Sequence, residues 1–102
     1  MSNETLCEIG EEIGPFGLDH SHYVNALQRL LALDTEVKAG SPAKYLDTVF
    51  EILLRLIETY QQPILDPGTS QAVRAEAEIW AGAEEPASRT IARDILNELP
   101  PG

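Results

Sequence analysis

Three observations predict an all-α fold, a compact bundle of about five helices around a central apolar helix. Apolar residues recur at three- and four-residue spacing along most of the 102-residue chain, the mark of helices that bury one face. No stretch alternates apolar and polar residues over more than a few positions, as a half-buried strand would. Glycine and proline, seven of each, fall mostly between the periodic segments, where they punctuate them.

The first helix is predicted from about Asn3 to Ile13, with Leu6, Ile9 and Ile13 at helical spacing, Gly10 weakening it, and "GPFG" at 14 to 17 ending it. A second is predicted from Asp19, a candidate N-cap, to Lys38 and Gly40. It carries Tyr23, Leu27, Leu30, Leu31 and Val37 on one face and Asn25, Gln28, Arg29 and Glu36 on the other. The third opens on "SPAK", where Ser41 can cap free amide groups and Pro42 fits the first turn with its φ already set. It is expected to run to about Gln62, where Pro63 ends it.

Ten apolar residues lie on this third helix: Tyr45, Leu46, Val49, Phe50, Ile52, Leu53, Leu54, Leu56, Ile57 and Tyr60. Lys44, Asp47, Glu51, Arg55 and Glu58 leave only a narrow polar edge. A helix apolar nearly all round is central in its fold or shared with another chain. "DPGTS" at 66 to 70 reads as a turn. A fourth helix is expected from Ser70 or Gln71 to Ala81, with Val73, Ala77 and Trp80 inward and Gly82 as C-cap. The fifth starts at Pro86 or Ser88 and carries Ile91, Ala92, Ile95, Leu96 and Leu99 before "PPG".

Residues 1–102 suit a single helical domain with a modest core. A hydrophobic content of 43% places the chain among folding sequences rather than disordered ones. No run reaches the ~18 apolar residues of a membrane span, and the acidic amino terminus lacks the basic region of a signal peptide, so a cytoplasmic protein is expected. Cys7, the single cysteine, has no partner for an internal disulfide and carries no redox role.

Seventeen acidic residues against seven basic ones give a net charge of -10. That balance opposes binding to nucleic-acid phosphates and favours a basic protein partner. The breadth of the third helix's apolar surface adds the expectation of a homodimer. Tyr45, Val49, Phe50, Leu53 and Trp80 are the candidate partner-binding residues, as large apolar side chains able to anchor a contact.

Asp19, His20 and His22 are of metal-ligating types, but histidines two apart on a helix project about 200° from each other, and no further ligand motif accompanies them. No metal, cofactor or catalytic residue is therefore assigned. Glu8, Glu11 and Glu12, and again Glu84 with Glu85, read as solvated faces rather than acid–base pairs. "GSPAK" lacks the spacing of a phosphate-binding loop, and no nucleophile elbow is present. The favoured function is a non-catalytic interaction or regulatory module. The alternatives are an acidic inhibitor that mimics nucleic acid, and a helical metal or cofactor enzyme subunit centred on Asp19, His20 and His22.

Taken together, "HYVNALQRLLALD", "GSPA" and "LLRLIETYQQPILDP" resemble the N-terminal half of HigA-type antitoxins, the DNA-binding, toxin-neutralising members of a class of bacterial toxin–antitoxin pairs. The resemblance lies in Tyr23, Ala26 and Leu27, in Gly40-Ser41-Pro42, in Leu53, Leu56, Ile57, Glu58 and Tyr60, and in Asp66-Pro67. It covers about half of the chain and implies an antitoxin-like binding module. Members of that family continue into a helix-turn-helix in which a small residue four before a turn glycine and an apolar one six after it join two helices. With Gly82 as that glycine, those positions hold Glu78 and Ser88, and beyond the Asp-Pro loop Arg74, Arg89 and Arg93 face five acidic residues before Glu98. The resemblance therefore implies an interaction region kept and a DNA reader lost or replaced.

Overall fold

A computed structural model describes residues 3–14, 19–61 and 65–99, and among these the regular structure is helical throughout. The elements are α1 (Asn3–Glu12), α2 (His20–Leu31), α3 (Thr35–Gly40), α4 (Pro42–Tyr60), α5 (Pro67–Ala81) and α6 (Pro86–Glu98). The all-α bundle expected from the periodicity is what the chain forms. Part of the break expected over 14 to 17, and the stretch 62 to 64 with Pro63, lie outside the described residues.

The third predicted helix is α4, and it is central. Tyr45, Leu46, Val49, Ile52, Leu53 and Leu56 are buried on it, at the three- and four-residue spacing of a single inward face. Helices α2 and α6 pack against α4, the short α3 touches it, α1 lies on α2, and α5 packs most extensively on α6. Leu6, Ile9 and Ile13 from the first segment, Tyr23, Leu27 and Leu30 from α2, Val73 and Ala77 from α5, and Ala92, Ile95 and Leu99 complete one continuous core. The radius of gyration of 12.6 Å matches the ~13 Å of a well-packed unit of about 100 residues.

The segment predicted as one helix from 19 to 38 is two. Helix α2 ends at Leu31, and Asp34 adopts an extended conformation as the N-cap residue of α3, its carbonyl accepting from the N–H groups of Val37 and Lys38. Aspartate is a poor residue for a helix interior and a good one for a helix start, which favours this break. Lys38 closes the corner by donating from Nζ to the Leu31 carbonyl at 2.8 Å, a terminal acceptor of α2.

The other correction concerns "DPGTS", which starts a helix instead of forming a turn before one. Asp66 is the N-cap of α5: its carboxylate accepts from the Thr69 N–H at 3.1 Å and from Thr69 Oγ1 at 2.7 Å, with Pro67 in the first turn. Ser41 and Asp19 occupy the N-cap positions predicted for them, but neither side chain makes the capping bond. The bonds from the Thr69 hydroxyl and then its amide hold the Asp66 carboxyl below its ordinary pKa. A depressed pKa stabilises the fold above the unfolded value of about 3.9 and ceases to do so as pH falls through the folded value. Thermal melts should accordingly show Asp66→Ala less stable than wild type at neutral pH, with the gap closing below about pH 4.

Helix α4 stops two residues earlier than predicted because Gln61 turns into the left-handed region, with φ 68°, its N–H donating to Ile57 O at 2.6 Å. A glycine adopts that conformation without the Cβ clash. Gln61→Gly is expected to raise stability by up to about 1 kcal/mol in urea unfolding, since relief of the clash outweighs the added freedom of the unfolded chain.

Candidate protein-contact surface

The five residues expected at a partner contact are separated by the fold. Tyr45, Val49 and Leu53 lie in the protein's own core, whereas Phe50 and Trp80 are partly buried and pack against it. A small bundle covers its largest apolar side chains first, because each such burial stabilises by roughly 1.5–3 kcal/mol. The apolar excess of α4, which suggests a second copy of the chain, is largely covered from within. Among the described residues Leu54 and Ile79 are the large apolar side chains left exposed.

Leu54 sits on the outer face of α4, 37% exposed, in a groove of about 330 Å³ lined by Asp47, Phe50, Glu51, Leu54, Arg55 and Glu58. Steps of three and four residues bring these positions onto one side of the helix. Two parallel rows result. Phe50, Leu54 and Glu58 form one, and Asp47, Glu51 and Arg55 the other.

The cation of the groove is engaged by its neighbours. Arg55 Nη2 lies 3.3 Å from Glu51 Oε1 and donates to the Gly14 carbonyl at 3.3 Å, while Nη1 is 3.9 Å from Glu58 Oε2. Three carboxylates against one guanidinium leave the groove net negative around its apolar centre. One turn earlier, Lys44 points to α1, its Nζ 2.8 Å from Cys7 Sγ. Such a surface can seat an apolar side chain while holding cations beside it, the arrangement that gives a protein contact both burial and steering.

Behind this face a polar cluster fixes α4 in place. Glu76 Oε1 on α5 accepts from Lys38 Nζ at 2.6 Å and from the Tyr45 hydroxyl at 2.7 Å, and Lys38 Nζ stands 5.4 Å from the Tyr45 ring centre. Both charged side chains are shielded, with 11% of Lys38 and 23% of Glu76 exposed. Sequence reasoning misses this cluster because Lys38 and Glu76 are 38 positions apart and no local pattern links them. Burial, then the hydrogen bond to Glu76 and its negative charge, pushes the Tyr45 hydroxyl well above its ordinary pKa. A raised folded pKa means stability that is complete below the unfolded value of about 10 and is lost as pH rises beyond it. Unfolding free energy should fall above about pH 10 in wild type, with a shallower decline in Tyr45→Phe.

Asp19, His20 and His22 are not brought together. His20 meets Tyr60 edge-on with ring centres 5.5 Å apart, His22 Nε2 lies 3.3 Å from the Glu12 carbonyl oxygen, and Asp19 is exposed at the start of α2. Among the described residues no three His, Cys, Asp or Glu side chains are placed to hold a metal ion. Glu12 pairs with Arg29 and so helps tie α1 to α2.

Helices α5 and α6 are joined through Gly82–Glu85. Glu78 is exposed, and Ser88 is fully buried with its hydroxyl donating to the Glu85 carboxylate. The buried position six after Gly82 thus holds a satisfied polar group where a helix-turn-helix would place an apolar one. On α6, Arg89 and the exposed Arg93 lie four apart on one side, with the exposed Asp94 and Glu98 on the adjacent side, so carboxylates flank the basic pair. Among the described residues no helix is long and apolar enough to cross a membrane. No protein-family model, curated protein or solved structure matches this chain.

Proposed function

We propose that this protein is a small, non-catalytic regulatory module of the cytoplasm that binds a basic protein partner on the outer face of α4. The observation that carries this reading is the apolar pair Phe50 and Leu54, set beside Asp47, Glu51 and Glu58 in a chain of net charge -10. Negative potential raises the encounter rate with a basic partner, and burial of the pair slows dissociation. An antitoxin-like role is the specific form of the proposal: the chain would occupy a basic toxin-like protein through its helices. The resemblance in 22 to 34 and 53 to 67 supports that form.

The test is affinity capture from the native host with the wild-type chain and with Leu54→Asp. Leu54 is already partly in solvent, so the variant should keep its helical circular dichroism. A stoichiometric basic protein retained by wild type and lost by Leu54→Asp is the expected result. Equal capture by both chains would remove the α4 face from the proposal.

A further inference from the structure

We infer that the element received by the α4 groove is a basic amphipathic helix of about three turns, laid along α4, an inference that rests on the docking face proposed above. The groove runs between two rows of side chains at four-residue spacing, Phe50–Leu54–Glu58 and Asp47–Glu51–Arg55. A furrow between such rows is what a ridge of side chains on another helix fits. From position 47 to 58 the helix rises about 16 Å, the length of three helical turns.

Other forms of peptide fit poorly. Adding a strand requires an open sheet edge, whereas the described regular structure is entirely helical and a helix satisfies its interior backbone groups internally. A proline-rich extended segment docks on a groove lined by several aromatic rings, and here Phe50 is the only aromatic residue in the lining.

The charges set the partner's pattern. Asp47 and Glu51 lie beside Phe50 on one flank, and Glu58 closes the far end of the apolar row. Arg55 sits between Glu51 and Glu58 and is engaged by both. The docked helix should therefore place a stripe of large apolar residues on Phe50 and Leu54, with Lys or Arg on the flank facing Asp47 and Glu51 and another cation beyond the stripe facing Glu58. Anionic lipid surfaces and nucleic-acid phosphates carry the wrong charge for this face.

The test uses the full chain and three synthetic peptides of about 18 residues. One is a Lys/Leu/Ala peptide with leucine at helical spacing, the second has the same composition with leucine and lysine alternating, and the third replaces each lysine of the first with glutamate. Binding is followed by amide chemical shifts and titration. The helical basic peptide should shift amides within 47–58 and bind at least about tenfold tighter than the other two, with Glu51→Lys weakening it by about tenfold.

An alternating peptide that binds the same face equally well would overturn the helical form and leave the docking face standing. A helical peptide that leaves 47–58 unmoved also overturns the inference. In that case, capture by wild type but not by Leu54→Asp would keep the docking face, and capture equal for both chains would remove it as well.

Discussion

Glu76→Leu should lose about 3–5 kcal/mol of stability, a large share of the 5–15 kcal/mol typical of a folded protein. The carboxylate is the shared acceptor for Lys38 and Tyr45, so its removal strands a shielded ammonium and a buried hydroxyl together. The attraction within such a pair little more than offsets the cost of desolvating it, and most of the loss comes from the group left behind. Removing the ammonium as well should therefore recover much of the stability. Lys38→Met combined with Glu76→Gln, which keeps an acceptor for Tyr45, should lie within about 2 kcal/mol of wild type in urea titrations. Additive losses from the separate changes would mean that the cluster does not act as a unit.

Leu53→Ala should cost about 2–5 kcal/mol, because Leu53 is fully buried on the central helix and truncation leaves a cavity that neighbouring helices fill only in part. The packing around Leu53 lies within one chain, so the difference in unfolding midpoint between this variant and wild type should be the same at low and high protein concentration. If Leu53 instead served an interface between copies, that difference would change with concentration, as the midpoint does for folding linked to association.

Local patterns reveal most of the helices but less of their joints. Leu6, Ile9 and Ile13 and the apolar series from Ile91 to Leu99 show their inward faces through spacing alone, and every residue of both sets is buried or packed on the core. The break at Ala32–Asp34 is hidden because the apolar rhythm continues through to Val37. What turns the chain there is Asp34 as a helix start and a lysine that bonds back to Leu31 and across to Glu76, the second of these an interaction that no window of sequence contains. The start of α5 is legible in principle: Asp66-Pro67 repeats the logic of Ser41-Pro42, a polar cap followed by proline, and of the two aspartate makes the bond.

The candidate surface is harder to read. Size and hydrophobicity point to Tyr45, Val49 and Leu53 as anchors for a partner, and the fold uses all three for its own core. The groove lies instead along the narrow polar edge of Asp47, Glu51, Arg55 and Glu58, with Phe50 and Leu54 beside it. Periodicity marks which side of a helix is apolar, but which residues at its margin stay uncovered depends on where α2 and α6 settle.

The docking of a basic partner on α4 is tested most directly by amide mapping of the isotopically labelled full chain with the protein that it captures from its host. Docking there requires the largest shifts to fall on residues 47–58, with weakening as salt screens the carboxylates. Shifts confined to α5 and α6, with 47–58 unmoved, would contradict it.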